Sequence, residues 1–69
     1  MSKYVPLWEY VQNDGREAFE MTYDEIKSTT GIDVDASIIR YKGEIKDYGY
    51  VIFKISAGTR TISFKKHTT

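Results

Sequence analysis

A capping box near the middle of the chain constrains the fold more than any other sequence feature. Thr22 is followed three residues later by Glu25, so each side chain can satisfy a backbone N–H of the other residue at a helix start. Gly31 stands where glycine commonly ends a helix. The sequence therefore predicts a short helix of about two turns, with Tyr23 and Ile26 on its inner face.

The residues before this helix predict another helix and a brief strand. Pro6 suits a first helical turn, and Leu7, Tyr10 and Val11 follow at the spacing of one buried face. Asn-Asp-Gly at positions 13–15 ends this helix. Residues 17–21 alternate polar and apolar side chains, as a short strand does, with Ala18 or Phe19 and Met21 as the candidates for its inward side.

A third helix is predicted after the central one. Asp35 can cap it, and Ile38, Tyr41 and Ile45 recur at steps of three and four residues. Gly43 weakens its second half, because glycine is a poor helix former. The positions that point away from the Ile38 face, and are expected to be exposed, are Ala36, Ser37, Arg40 and Glu44.

The remainder of the chain predicts a β-hairpin. Val51, Phe53 and Ile55 alternate with polar or outward residues, and so do Ile62 and Phe64. A bend centred between positions 57 and 58 would pair Phe53 with Ile62 and Val51 with Phe64. Both apolar rows then share a face only if the loop has two or four residues. Four is expected, because Ala57 fits a two-residue turn poorly.

This order of elements is typical of a winged helix-turn-helix, an α+β fold. We expect the short first strand to join the hairpin and the hairpin loop to form the wing. The 69 residues leave room for one domain spanning 1–69, and without cysteine its stability must come from apolar packing. No stretch is long and apolar enough for a membrane span or a signal peptide, so a cytoplasmic protein without membrane contact is expected.

Charge is divided between the two halves of this neutral chain. Residues 1–35 contain three basic and eight acidic residues, whereas residues 36–69 contain seven basic and two acidic ones. The halves therefore have net charges of −5 and +5. Such asymmetry is typical of proteins that bind nucleic acid or membranes.

Several short motifs resemble a family of small bacterial and phage domains of unknown function. Its pattern is K-Y-x-P-L, then T-[FY]-x-E-I, then L-P-x-S-A and a final V-x-F. The matching segments are residues 3–7, 22–26 and 61–65, together with Gly31. Residues 34–38 and 43–46 depart from it, because this chain lacks the family's L-P pair and its Trp-Trp-x-Asn element. The resemblance implies a winged-helix-like architecture and supplies no catalytic residue.

Catalysis is not expected, and neither is a cofactor, a metal or a small-molecule substrate. The chain has no cysteine nucleophile, no G-x-S-x-G and no glycine-rich phosphate loop, and its single histidine, His67, lies in a polar tail. Asp33 and Asp35 are close in sequence, but capping and solvation of a helix start explain them better than a cation site.

Double-stranded DNA is the leading ligand hypothesis. Arg40 is the best candidate for a bidentate contact with guanine, with Ser37 beside it on the third helix. Other residues would neutralise phosphates from the flanks and the wing. The complete predicted nucleic-acid-binding set is Ser37, Arg40, Lys42, Lys46, Lys54, Thr59, Arg60 and Lys65. Lys66 extends the basic stretch, whereas Glu44 opposes an anion.

The alternative is a protein-interaction module of the same fold. Tyr50 and Ile52 have the outward parity of the predicted hairpin, so an apolar partner or homodimer surface would contain Trp8, Tyr48, Tyr50 and Ile52. Such a module could be a phage or mobile-element inhibitor of a host protein. Packing of these side chains within the domain is the competing interpretation.

Overall fold

The computed structural model describes residues 2–67, which form helices and strands in the predicted order. The elements are α1 (Val5–Asp14), β1 (Ala18–Thr22), α2 (Tyr23–Thr30), α3 (Ser37–Tyr41), a 3₁₀ helix (Lys42–Tyr48), β2 (Tyr50–Ser56) and β3 (Thr61–Lys66). The α+β prediction is confirmed, and the arrangement is compatible with a winged helix.

Local signals define both ends of the first two helices. Pro6 lies in the first turn of α1, and Gly15 ends the helix with φ 75°. In α2 the capping box is complete, because Glu25 N donates to Thr22 Oγ1 at 3.0 Å and Thr22 N donates to Glu25 Oε1 at 2.9 Å. Gly31 ends α2 with φ 80°. A left-handed residue at this position suits glycine, which has no Cβ to clash.

The three strands form one antiparallel sheet with β3 in the centre and the order β1-β3-β2. Phe19 lies opposite Phe64, and Met21 lies opposite Ile62. The prediction that the short first strand joins the hairpin is therefore confirmed. Its inward residues are Phe19 and Met21, and the Phe19 and Phe64 rings lie 5.3 Å apart.

The register predicted for the hairpin is wrong. Ile55, rather than Phe53, lies opposite Ile62, and Ile52, rather than Val51, lies opposite Phe64. The loop has the four residues expected, 57–60, but its centre lies one residue later than predicted. An irregularity between Ile52 and Lys54 makes Phe53 the additional residue of a β-bulge.

The bulge reverses the predicted facing of the first part of β2, up to Phe53, whereas Ile55 faces inward as predicted. An extra residue in one strand changes the parity of the side chains on its two sides. Tyr50 is consequently 3% exposed and Ile52 is half-buried, although both were predicted to face outward. Phe53 was predicted to face inward and is 55% exposed.

The core lies between the inner face of the sheet and the helices. Met21, Tyr50, Ile62 and Phe64 contribute from the sheet, and the other buried apolar residues are Tyr4, Leu7, Trp8, Val11, Ile26, Ile32, Ile38 and Ile45. The polar ends of the buried aromatic residues have partners: Tyr50 OH donates to the Arg16 carbonyl at 2.6 Å, and Trp8 Nε1 donates to Glu44 Oε1 at 3.1 Å. These bonds remove the cost of burying an unpaired donor.

Deletion of Phe53 tests the bulge. Removing this residue leaves Tyr50, Ile52 and Ile55 facing inward in simple alternation, so the free energy of unfolding should change by no more than about 1 kcal/mol. Deletion of Ser63 is the control, because β3 pairs with β1 without irregularity, so the loss of one residue would turn either Ile62 or Phe64 out of the core and should cost about 3 kcal/mol or more. Urea unfolding measures both, and equal losses would contradict the assigned register.

Candidate nucleic-acid interface

The predicted third helix changes geometry halfway. Its first part, α3, is an α-helix, and its second part is the 3₁₀ helix, which contains Gly43. Ile38 and Ile45 face the core as predicted. Because a 3₁₀ helix has about three residues per turn, the outward positions after Tyr41 do not follow the α-helical wheel. The exposed side chains of the segment are those of Ile39, Arg40, Lys42, Lys46 and Asp47.

The N-cap residue of α3 is Ala36, which forms no side-chain cap hydrogen bond, so the predicted cap residue Asp35 lies one residue earlier and binds Ser37 instead. Ser37 N donates to Asp35 Oδ1 at 2.9 Å, and Lys3 Nζ lies 2.7 Å from Asp35 Oδ2. The hydrogen bond from Lys3 and those from Ser37 hold the pKa of the Asp35 carboxyl well below its ordinary value. Asp33 has its own cation, Lys27 Nζ, at 2.8 Å. The two carboxylates thus form separate ion pairs, and Asp35 also accepts hydrogen bonds from the first residue of α3.

Ser37 is not the exposed side chain that was predicted. It is half-buried, and its hydroxyl lies 2.8 Å from Tyr4 OH while also donating to Asp35. Both contacts hold the hydroxyl at the start of α3. The Ser37 hydroxyl already forms hydrogen bonds within the protein, which weakens the assignment of Ser37 as a residue that contacts DNA bases.

Glu44 turns inward instead of opposing the basic residues. Its Oε1 accepts hydrogen bonds from Ser2 Oγ and Trp8 Nε1, and the side chain is half-buried. These donors, Ser2 first, lower the pKa of the Glu44 carboxyl below its usual value of 4.5. The prediction that Glu44 shares the outward face with Arg40 is wrong, because Trp8 needs a buried acceptor.

The basic residues of the two halves differ in their partners. The ion pairs among residues 2–67 are Lys3–Asp35, Arg16–Asp14, Lys27–Asp33 and Arg60–Asp24. Every basic side chain of the first half is thus neutralised by a neighbour. The remaining basic side chains of the described chain are exposed and form no ion pair: Arg40, Lys42, Lys46, Lys54, Lys65 and Lys66.

A groove runs between the third helical segment and β2. One part, of about 350 Å³, is lined by Ile39, Lys42, Gly43, Lys46, Val51 and Ile52. A second part, of about 250 Å³, shares Ile39, Lys42 and Ile52 and adds Phe53, Lys54 and Ile55. We call these two connected parts the helix–strand groove. Its walls are mainly apolar, and its charged lining residues are all lysines.

Phe53 connects the helix–strand groove to the outer face of the sheet. Lys65 Nζ lies 5.5 Å from the centre of the Phe53 ring, within the range of a cation–π contact. Lys65 itself lies opposite Val51 on β2. The structure thereby brings together four of the predicted residues, Lys42, Lys46, Lys54 and Lys65, around one surface.

The predicted wing residues lie elsewhere. Arg60 has φ 55°, its carbonyl accepts from Tyr23 N at 2.8 Å, and its guanidinium lies 5.7 Å from the Tyr23 ring centre. Its nearest carboxylate, that of Asp24, is 3.9 Å away. Thr59 lines a separate depression on the sheet with Glu20 and Lys54. Neither Thr59 nor Arg60 lines the helix–strand groove.

The predicted protein-interaction residues do not form an exposed patch. Trp8 is fully buried and Tyr50 nearly so, while Tyr48 and Ile52 are half-buried. Packing within the domain, the competing interpretation, accounts for Trp8 and Tyr50. The large exposed apolar residues of the described chain are instead Ile39, at 62%, and Phe53, at 55%.

Sequence reasoning missed both of these residues. Ile39 follows the buried Ile38, and two adjacent helical residues cannot both face one core. The Ile38-Ile39 doublet was therefore a usable signal. The sequence contains no such signal for Phe53, because the exposure of its side chain depends on the bulge.

Comparison of the chain with family models, curated proteins and solved structures finds no match. The resemblance to the small bacterial and phage domains therefore stays a prediction from its motifs. Within residues 2–67 no helix has the length and apolar character needed to cross a membrane.

The bond between Glu44 and Trp8 predicts a specific acid sensitivity. The folded state lowers the pKa of Glu44, so this group stabilises the fold above its unfolded pKa, and the contribution is lost as the pH falls through the folded pKa. Glu44→Gln should therefore lose less free energy of unfolding than the wild type when the pH falls from 7 to 3. This range spans the usual pKa of a glutamate, about 4.5, and the lowered pKa of folded Glu44. Urea midpoints measured across this range test it. Parallel curves for the wild type and the variant would contradict the role of Glu44.

Proposed function

We propose that this chain is a nucleic-acid-binding module with a winged helix-turn-helix fold, acting as a small regulator or accessory domain. The observation that supports it is the set of exposed basic side chains that form no ion pair within residues 2–67, all of which come from the second half of the chain. A polyanion would supply the missing partners. Its phosphates would release counterions on binding these side chains, which gives a favourable and salt-dependent affinity.

The zero net charge does not oppose this function. Three of the eight acidic residues of the first half, Asp14, Asp33 and Asp35, pair with the three basic residues of that half, so part of its negative charge is locally compensated. The hydrogen bond from Trp8 holds the Glu44 carboxylate away from the exposed side of the third helical segment. The face around Lys42, Lys46 and Lys54 is therefore more basic than the composition suggests.

In a winged-helix complex the third helical segment would enter the major groove of a duplex. Arg40 is exposed there and is the residue proposed to contact guanine, whereas Ser37 would contribute less because its hydroxyl is occupied. Thr59 and Arg60 in the loop after β2 would approach the phosphate backbone as a wing. Lys42, Lys46, Lys54 and Lys65 would bind phosphates from the side of the segment.

A protein-interaction module is the second candidate, favoured by the exposure of Ile39 and Phe53 along the helix–strand groove. Exposed apolar side chains in a groove are typical of partner surfaces. A homodimer through this groove would give a mass that rises with concentration in sedimentation equilibrium. Ile39→Asp should abolish that rise without unfolding the domain, and a monomeric wild type would exclude the homodimer.

Duplex titration at several salt concentrations tests the leading proposal. Lys42→Gln should weaken binding uniformly across sequences and reduce the salt slope by about one, while Arg40→Ala should cost ~1–3 kcal/mol on a preferred site. Lys27→Gln is the matched control, because Lys27 lies on α2 and already pairs with Asp33. Equal effects of Lys42→Gln and Lys27→Gln would contradict the proposed surface.

A further inference from the structure

Phe53 is an exposed aromatic residue surrounded by basic ones. The bulge places its ring outside the core, where it is 55% exposed. Lys65 Nζ lies 5.5 Å from the ring centre, and Phe53 also lines the groove with Lys42 and Lys54. Its exposed ring forgoes the stabilisation that burial would give and leaves a π-face accessible to a ligand.

The helix–strand groove has the chemistry of a site for a flat aromatic group attached to anions. Ile39, Ile52 and Phe53 provide apolar walls, while Lys42 and Lys54 are the charged residues of this part of the groove. A nucleobase suits such walls, because every base has a π-face that stacks on an aromatic ring. The phosphates on either side of that base suit the lysines.

We propose that the helix–strand groove binds single-stranded nucleic acid, with an unpaired base stacked on Phe53 and neighbouring phosphates held by Lys42, Lys54 and Lys65. This inference rests on the proposed nucleic-acid function and adds to its ligands strands with unpaired bases, which this groove would bind. Bases within a duplex are stacked on their neighbours, so their faces cannot reach Phe53 unless the base leaves the stack.

Two features of β2 argue against a protein strand as the occupant. β2 is an edge of the sheet, and an added strand would need its free backbone groups in regular order. The bulge at Phe53 interrupts that order, and Lys54 places a charge beside it. Bulges and edge lysines are common devices that prevent strand addition. The same features disfavour a second copy of this chain paired through β2.

The lining of the groove also predicts how the site selects its ligand. Its residues are isoleucine, valine, glycine, phenylalanine and lysine, with no carboxylate, amide or hydroxyl side chain to read base edges. Specificity through base hydrogen bonds needs such groups. The site should therefore accept many sequences, with differences that follow stacking strength.

Fluorescence anisotropy with a labelled oligothymidylate of about ten nucleotides tests the proposal at low salt. Phe53→Leu keeps an apolar side chain and removes the π-face, so affinity should fall about tenfold. Phe53→Trp should restore the affinity, and its indole emission should be quenched by the bound strand. The buried Trp8 supplies the background signal, which the wild type measures. Thermal unfolding of Phe53→Leu should match the wild type, because the ring lies outside the core.

The outcomes separate this inference from the proposed function. If the wild type binds neither the single strand nor the matching duplex, both fail. If it binds both equally and Phe53→Leu binds as the wild type does, the basic surface stands and the stacking site is overturned. Displacement of the strand by oligoglutamate of the same charge as readily as by unlabelled strand would also overturn it, because the groove would then recognise charge alone.

Discussion

The bulge at Phe53 is the constraint on which the rest of the structure depends. A chain of this size has only one core, and β2 supplies Tyr50, Ile52 and Ile55 to it only because one residue is left out of the pairing with β3. If Phe53 were paired with β3 in regular alternation, one part of the strand would face solvent when the other faced inward. The same displacement leaves an aromatic ring on the surface, so the core and the proposed site have a common origin.

Hydrogen bonds between distant segments orient the third helical segment on this frame. Asp35, just before α3, binds Lys3. Glu44, near the middle of the 3₁₀ helix, accepts hydrogen bonds from Ser2 and Trp8. Both contacts draw acidic groups toward the first residues of the chain. The exposed charged side chains of the segment are mainly basic, with Arg40, Lys42 and Lys46 against Asp47. Its basic character thus follows from where its acidic neighbours find donors.

The parts of the fold that could be predicted are those encoded by neighbouring residues. The capping box at Thr22, the left-handed glycine at position 31 and the alternation of the strands gave the order of elements and the length of the loop. The bulge could not be predicted, because either residue parity of β2 offers an apolar row. Glu44 was misplaced because its partner is 36 residues away. The sequence predicted the exposed lysines. It did not predict the exposure of Phe53, which depends on the bulge, or of Ile39, because the sequence does not say which member of the Ile38-Ile39 doublet is buried.

The separation of charge has a kinetic consequence for a protein without net charge. The exposed lysines around the helix–strand groove give the protein a local positive field, so the proposed polyanion would orient the domain before any contact forms. Such a field acts over distances up to the Debye length, about 8 Å at physiological ionic strength. The domain would turn its lysines toward the polyanion during approach, and a productive encounter would need fewer collisions. Orientation, rather than attraction of the whole molecule, would then set the association rate.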